Sequence, residues 1–396
     1  MSILRARIST IRRGGRAAVL AAFALLCFAN GVRADYIYTN IIDTSSGYGG
    51  FLGGALNNAG QVGFEASKGP NETIFTSNGT TMTTIAQTGP SFSILFAPTS
   101  INDSGAVAFQ GVTPQSVFGL FTGSGGSLTT ITTEGATFNS IFGGSINNSG
   151  NVAFIGNSSS SSGVFVGSGG ALTTIAQTGT TFSGFGSVPS INQSGTVAFQ
   201  AGLTGGGAGV FAGNGSSPTT IFSTSSLQPG NPTFNNAGTA AFTLQANSTF
   251  LVVTGNGGPL STIATTTGGV FSNFQSNPDI NIHGQVAFLA DLTAGGTEIL
   301  AGDSGGLNKV IATGDSLFGS TVAYLAFNSN GLNDQGQVSF FYILADGVNG
   351  IGIASPMASS VPEPQSIVLG CMGLGVIVLA RFRSRGRGPG RAARPI

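Results

Sequence analysis

The hydrophobic and polar positions of this chain follow one short pattern that returns along its length. The pattern Asn-x-x-Gly-x-Val-Ala-Phe, with small variations, begins at Asn57, Asn102, Asn147, Asn192, Asn235, Asn281 and Asn333. Successive copies are 45, 45, 45, 43, 46 and 52 residues apart. A fixed period of this size is the signature of a tandem-repeat architecture, in which each copy is one structural unit.

Each copy of the motif predicts a turn between two strands. In the segment Ser100–Phe109, a short apolar strand enters the turn and a second strand leaves it. The asparagine side chain can cap such a turn, and glycine supplies the positive φ that it commonly needs. The predicted turn glycines are Gly60, Gly105, Gly150, Gly195, Gly238, Gly284 and Gly336. In the outgoing strand Val107 and Phe109 share one face while Ala108 lies on the other, which suits sheets stacked closely on both sides.

Two further strands complete the repeat. A third strand is predicted at Gly163–Val166 and a fourth at Leu172–Ala176, and a connector with spaced aromatics at Phe182–Phe185 leads to the next copy. Four short antiparallel strands in 40–50 residues are typical of a β-propeller blade. The phenylalanines at the last motif position are predicted to be core residues, as at Phe109, Phe154, Phe199 and Phe288.

The two ends of the repeat region complement each other. The segment Tyr36–Asp43 matches the fourth-strand pattern, whereas the seventh copy has a third strand near Ile351–Ala354 and then stops. We therefore predict an all-β, seven-bladed propeller of four-stranded antiparallel blades, its ring closed by the N-terminal strand. An open β-solenoid is the alternative, but it has no need for complementary ends and would usually show caps.

The N-terminal residues predict export. A basic stretch from Arg5 to Arg16 precedes the apolar run Ala17–Ala29 and a small-residue site that ends at Ala34, so signal peptidase is expected to cleave between Ala34 and Asp35. The pair Arg12-Arg13 leaves twin-arginine export as an alternative.

The C-terminal residues change composition abruptly. The motif Val361, Pro362, Glu363, Pro364 precedes an apolar run and a tail that carries six arginines. The uninterrupted apolar run, Ile367–Ala380, would be about 21 Å long as a helix, against about 30 Å of hydrocarbon, so alone it is a marginal membrane span. The predicted division is a signal peptide at 1–34, the repeat domain at 35–356, a linker with the motif at 357–365, an apolar membrane segment at 366–380 and a basic cytoplasmic tail at 381–396.

This order of parts closely resembles the PEP-CTERM sorting signal, which exosortase, a membrane cysteine transpeptidase, recognises. The resemblance covers the last 36 residues, although the basic tail is longer than is usual in that family. The repeat itself resembles the NxxGxxAF tandem-repeat proteins, which often carry varied C-terminal anchors. The two resemblances imply processing by an exosortase-like transpeptidase, an envelope or extracellular location, and association with surface polysaccharide.

The charges are segregated although the whole chain is neutral. All 12 arginines lie at the two ends, and residues 35–361 carry two lysines against 13 acidic residues, a net charge of −11. So acidic a body would repel phosphate backbones, which argues against a nucleic-acid partner.

Residues for catalysis are missing from the repeats. The one histidine, His283, occupies a variable turn position, and the two cysteines, Cys27 and Cys371, lie in the terminal apolar runs, so neither a catalytic triad nor a His-bearing zinc site can form. No cofactor is predicted. Calcium remains an alternative, because it binds six to eight oxygens and acids occur near several turns, at Asp103, Asp279, Asp291, Asp303, Asp315, Asp334 and Asp346.

The sequence therefore predicts a non-enzymatic exported protein of the cell envelope or extracellular matrix, in which the repeats form a scaffold or adhesion module. The alternative is a propeller that binds or cleaves glycans. Because a glycan site should gather tryptophan or tyrosine platforms, the absence of tryptophan and the presence of only five tyrosines favour the scaffold.

Overall fold

The computed structural model describes residues 36–275 and 277–357, and these residues form a seven-bladed β-propeller. The predicted fold class is confirmed, and the solenoid alternative is wrong. Besides strands, the described residues contain one short 3-10 helix, Thr44–Ser46, in which Asp43 accepts a hydrogen bond from the backbone N–H of Ser45 at the N-cap.

Each blade is one antiparallel sheet, and the strands are numbered along the chain. The first blade consists of β2 (Gly49–Leu56), β3 (Val62–Lys68), β4 (Asn71–Ser77) and β5 (Met82–Gln87). The second consists of β6 (Ile94–Leu95), β7 (Ser100–Ile101), β8 (Val107–Val112), β9 (Phe118–Gly123) and β10 (Thr129–Thr133). The third consists of β11 (Ser140–Ile146), β12 (Val152–Asn157), β13 (Ser162–Gly167) and β14 (Thr173–Gln177).

The remaining blades repeat this arrangement. The fourth consists of β15 (Phe182–Phe185), β16 (Ser190–Ile191), β17 (Val197–Leu203), β18 (Ala208–Gly213) and β19 (Thr219–Thr224). The fifth consists of β20 (Gln228–Pro229), β21 (Thr233–Phe234), β22 (Ala240–Ala246), β23 (Thr249–Gly255) and β24 (Ser261–Thr265). The sixth consists of β25 (Phe271–Phe274), β26 (Asp279–Ile280), β27 (Val286–Leu292), β28 (Thr297–Asp303) and β29 (Gly306–Ala312). The seventh consists of β30 (Ser316–Leu317), β31 (Ser320–Ala326), β32 (Val338–Leu344), β33 (Asn349–Pro356) and β1 (Tyr36–Asp43).

The seventh blade closes the ring with strands from both ends of the repeat region. Strand β1 pairs antiparallel with β33, with Tyr38 opposite Ala354 and Asp43 opposite Gly350. The predicted pairing of Tyr36–Asp43 with the last third strand is therefore confirmed.

The aromatic connector is a strand, and its prediction as a connector is wrong. Phe182–Phe185 pairs with β17 beside Ser190–Ile191, so these two segments form the two halves of one first strand. Pro189 separates the halves, because proline has no N–H to donate to the ladder. Prolines stand at the same place in the fifth and sixth blades, at Pro232 and Pro278, and one residue earlier in the second blade, at Pro98.

The core is divided into apolar layers between neighbouring blades. Val107 and Phe109 pack in the layer shared with the first blade, whereas Ala108 packs in the layer shared with the third. The predicted two-sided packing is confirmed. The phenylalanine at the last motif position is at most 1% exposed in every blade, at Phe64, Phe109, Phe154, Phe199, Phe242, Phe288 and Phe340.

Candidate functional site

The seven motif asparagines form a closed ring around the axis of the propeller. The side-chain Nδ2 of each donates to the backbone carbonyl oxygen of the next, and the last bond runs from Asn333 to Asn57 at 3.1 Å. The six other bonds measure 2.8–3.5 Å and join Asn57, Asn102, Asn147, Asn192, Asn235, Asn281 and Asn333 in chain order. The ring therefore ties each blade to its neighbour at one end of the axis.

The same side chain also holds its own turn. In the third repeat the Oδ1 of Asn147 accepts from the backbone N–H groups of Ser149 and Asn151, both at 3.1 Å. Between them Gly150 has a φ of +79°, and the motif glycines of the other six blades have φ values of +73° to +83°. Each ring asparagine is at most 6% exposed, so its amide makes its hydrogen bonds inside the protein rather than with solvent.

The next residue of each turn forms a second, outer belt. The backbone N–H of Asn58 donates to Asp103 at 3.0 Å, and that of Asp103 donates to Asn148 at 2.9 Å. In the same way, backbone N–H groups donate to the side chain of the corresponding residue in the next blade at four further places: Asn148, Gln193, Ile282 and Asp334. Because the Ile282 side chain has no acceptor, the belt is interrupted between the fifth and sixth blades.

A small cavity of about 130 Å³ lies on the axis inside these rings, and all seven repeats line it. Asp279 lies in its wall, 6% exposed, where three other first strands have serine. Its carboxylate accepts from the backbone N–H groups of Ile280 at 2.9 Å and Leu332 at 2.8 Å. Burial raises the pKa of Asp279 to about 7, against these hydrogen bonds, which lower it.

The acids near the turns do not assemble into a recognisable metal site. Within residues 36–275 and 277–357, no group of three or more His, Cys, Asp or Glu side chains is placed to hold a metal ion. Asp103 and Asp334 both bind Asn58 in the outer belt, and Asp315 pairs with Lys309 at 2.9 Å. Asp291 accepts from Asn273, while Asp303 and Asp346 cap turns through the backbone N–H groups of Gly305 and Val348.

His283 is a turn residue whose backbone N–H donates to Asn281 at 3.1 Å. The two processing sites predicted from the sequence, Ala34/Asp35 and Val361–Pro364, lie outside the described residues. So does the apolar segment at 366–380, and none of the helices among the described residues has the length and apolar character to cross a membrane.

Sequence reasoning missed two unusual features of the first blade. Glu65 is buried at a position where the second and fourth blades have glutamine, and its Oε2 has no hydrogen-bond partner in the described part of the chain. Tyr48 and Lys68 border a cavity of about 190 Å³. An alignment of the seven copies shows that the first copy differs from the others at these positions, and that difference could have revealed both features.

The sequence matches a family of unknown function, DUF7453, over residues 39–328 and again over 252–368. The chain belongs to the DUF7453 family. The two overlapping matches are in keeping with a repetitive domain. No curated protein matches this member of the family.

Solved structures similar to this DUF7453 chain share little sequence identity with it. A prolyl endopeptidase matches 87% of this chain at 11% identity and a TM-score of 0.53, and the chain spans only 55% of that protein's length. The β-propeller domain of the Trilobed protease from Pyrococcus furiosus matches 67% of this chain and 99% of its own, at 12% identity and a TM-score of 0.41. Aleuria aurantia lectin matches 69% of this chain and 97% of its own, at 13% identity and a TM-score of 0.40. At these identities the likeness shows the fold alone.

Proposed function

We propose that the protein is a non-enzymatic scaffold or adhesion module of the cell envelope or extracellular matrix. It is exported, its C-terminal segment anchors it transiently in the membrane, and an exosortase-like transpeptidase removes its basic tail. Once released from that tail, the propeller associates with surface polysaccharide.

One observation carries the scaffold proposal: the polar side chains at the axial end are engaged in structural hydrogen bonds. The ring asparagines are buried, and each bridges two blades while capping its own turn. A catalytic site instead needs a nucleophile or a proton-transferring group within reach of a substrate. Hydrogen-bonded amides are poor acids, bases and nucleophiles, so the arrangement suits rigidity rather than reaction.

The experiment follows the full-length chain in a bacterium that carries an exosortase-like enzyme and in the same strain without it. Envelope and medium fractions are analysed by mass spectrometry of the protein's termini. We expect mature protein that begins at Asp35 and lacks Arg381–Ile396 in the first strain, and an intact tail in the second. Intact Arg381–Ile396 on most molecules of the first strain would reject the sorting assignment.

A second experiment separates the scaffold from a glycan-cleaving enzyme. The purified protein is incubated with the polysaccharide of the producing strain's envelope, and both sedimentation and the number of reducing ends are measured. We expect the protein to sediment with the polysaccharide while the number of reducing ends stays constant. An increase in reducing ends would instead support a hydrolase or lyase.

A further inference from the structure

The first blade differs from the next three blades at an aromatic cluster near its outer strands. In the second, third and fourth blades, a buried phenylalanine just before or at the start of the first strand packs against the third-strand phenylalanine with ring centroids 5.0 Å apart; the pairs are Phe92–Phe121, Phe138–Phe165 and Phe182–Phe211. In the first blade Tyr48 takes the first position and packs edge-on against Phe75 at 5.5 Å. Tyr48 is half-buried, whereas its three counterparts are buried.

The third strand of the first blade also differs from those of the next three blades beside this cluster. In the next three blades a glycine lets the phenylalanine ring lie against the backbone, and a Cβ there would come within 2.7–2.8 Å of the ring; these residues are Gly119, Gly163 and Gly209. Thr73 stands at the corresponding place in the first blade, opposite Gln87, as Gly163 stands opposite Gln177. Its side chain occupies the space against which the Phe75 ring would otherwise pack.

A cavity of about 190 Å³ with an unusual set of side chains lies beside this cluster. It is lined by Tyr48, Lys68, Asn71, Thr73, Phe75, Thr84 and Gln87. The Lys68 ammonium lies 5.1 Å from the centroid of the Tyr48 ring, a cation–π distance. The one ion pair within residues 36–275 and 277–357 joins Lys309 and Asp315, so Lys68 brings a positive charge to the cavity with no carboxylate beside it.

This combination suits a sugar that carries a carboxylate. An aromatic side chain contacts the apolar face of a sugar ring, amides and hydroxyls bind its hydroxyl groups, and an ammonium group binds an anion through charge-assisted hydrogen bonds. The cavity is smaller than the roughly 300–1,000 Å³ of pockets for drug-sized ligands. It therefore has room for one sugar residue rather than for a longer segment of a polymer.

We propose that this cavity, the Tyr48–Lys68 pocket, binds a uronic acid residue of an acidic polysaccharide. The inference deepens the proposed association with surface polysaccharide and rests on it. Lys68 pairs with the carboxylate, Tyr48 contacts the ring, and Asn71 and Gln87 bind hydroxyl groups. The acidic body of the protein, with its net charge of −11, leaves this lysine as the local attraction for the ligand and repels polyanions elsewhere.

The test measures binding of oligogalacturonate to the purified full-length protein by isothermal titration calorimetry, with neutral galactan oligosaccharide of equal length as the second ligand. We expect oligogalacturonate to bind more tightly, and added salt to weaken that binding. Lys68→Met keeps the aliphatic stem over Tyr48 but removes the charge, and we expect about tenfold weaker binding of oligogalacturonate. Tyr48→Leu should weaken binding of the same ligand by removing the aromatic platform.

Lys309→Met is the matched control, because it changes the net charge equally at a site outside the pocket. We expect it to bind like the unmodified protein, and unchanged circular dichroism spectra will show that the variants fold. The proposal would be overturned if Lys68→Met and Lys309→Met lost equal affinity for oligogalacturonate. It would also be overturned if the unmodified protein bound neutral galactan, or a short DNA oligonucleotide, as tightly as oligogalacturonate. These outcomes differ from failure of the proposed function, which sedimentation with the envelope polysaccharide and the termini of the exported protein report independently.

Discussion

The motif asparagine and the motif glycine stabilise the same turn by different means. In the fourth repeat the Asn192 side chain accepts from the backbone N–H of Thr196 at 3.0 Å, while Gly195 has a φ of +83°. L-residues with side chains reach this left-handed region at a cost of roughly 1–2 kcal/mol, and β-branched residues are the least suited to it. The glycine is therefore required by backbone conformation rather than by space, because a Cβ added there would have no other atom within 4 Å.

Gly195→Val should lower the free energy of unfolding by more than about 1 kcal/mol. Thr196→Val, at the neighbouring position, should change it by less than about 0.5 kcal/mol, because valine suits the entry to strand β17. Urea denaturation of both variants measures the difference. Equal small effects at the two positions would contradict this account of the motif.

Glu65 provides a second test at the residue scale, because its environment opposes its charge. Burial, followed by the negative charge of Glu72, raises the pKa of Glu65 from 4.5 to about 7. In the second blade the same position is Gln110, whose Nε2 donates to the carbonyl oxygen of Gly143 in the third blade at 3.2 Å. A glutamine can make this bond between blades at any pH, whereas a carboxylic acid can donate only while it is protonated.

The folded-state pKa of Glu65 lies above its unfolded value, so its contribution to stability is fully present below about pH 4.5 and is lost as the pH rises to about 7. We expect Glu65→Gln to remove this part of the pH dependence. At pH 8 it should be more stable than the unmodified protein, by on the order of 2 kcal/mol. Melting temperatures at pH 5 and pH 8 measure both effects. Gln110→Glu is the reciprocal variant, and it should acquire the pH dependence that Glu65→Gln loses.

At the scale of secondary-structure elements, the asparagine ring and the outer belt differ in burial although they are adjacent in sequence. Asn147 in the ring is 1% exposed, whereas Asn148 in the belt is exposed. A buried polar group left without its partner costs about 1–3 kcal/mol, while an exposed group can bind water instead. The ring should therefore hold neighbouring blades together more strongly than the belt does.

Asn147→Leu should lower the free energy of unfolding by more than about 2 kcal/mol, because it leaves two N–H groups of its turn without their acceptor and removes the bond to the Asn192 carbonyl in the next blade. Asn148→Leu should cost less than about 1 kcal/mol. Thermal denaturation followed by circular dichroism compares the two variants. Similar losses in both would mean that the ring contributes no more than the belt.

The elements show how far the sequence alone could reach. The two-residue alternation at Val107–Phe109 and the period near 45 residues were enough to predict strands, turns and blades, because both patterns are local or repeat in register along the chain. The bond from each asparagine to the next blade was not predictable, since the contact of one sheet with another leaves no local pattern. The strand at Phe182–Phe185 was missed because Pro189 separates it from the rest of the first strand.

The residues of the candidate sites in the first blade could not be predicted for the same reason: their features arise from contacts between blades rather than from a local pattern. Thr73 and Tyr48 carry no recognisable motif, and their effect appears only when four blades are compared in three dimensions. Glu65 looks like an ordinary strand residue in the sequence, because its burial depends on how the first blade packs against the second. Features of these kinds depend on packing between blades, whereas the turn residues depend on the conformation of a few neighbouring residues.

At the scale of the whole molecule, the ring depends on strand β1. Removing Tyr36–Asp43 would leave β33 as an unpaired edge in the seventh blade and would take Ile41 and Ile42 from the core shared with the first blade. We expect aggregation or a large fall in the melting temperature, well beyond the fraying caused by trimming a disordered end. Size-exclusion chromatography and calorimetry measure these outcomes. A truncated protein that stays monomeric, with an unchanged melting temperature, would show that ring closure contributes little.

The position of β1 also sets an order for folding. Its partner β33 begins at Asn349, more than 300 residues later, so β1 cannot pair natively until nearly the whole domain has been synthesised. The strand pairings within each of the first six blades join residues less than about 50 positions apart and can form earlier, whereas closure must await a contact of very long sequence separation. During that interval β1 is an unpaired strand beside other unfolded chains, a condition in which aggregation competes with folding. Keeping newly made chains apart until closure, as the proposed export of one chain at a time would do, therefore favours pairing of β1 within one molecule over its exchange between two.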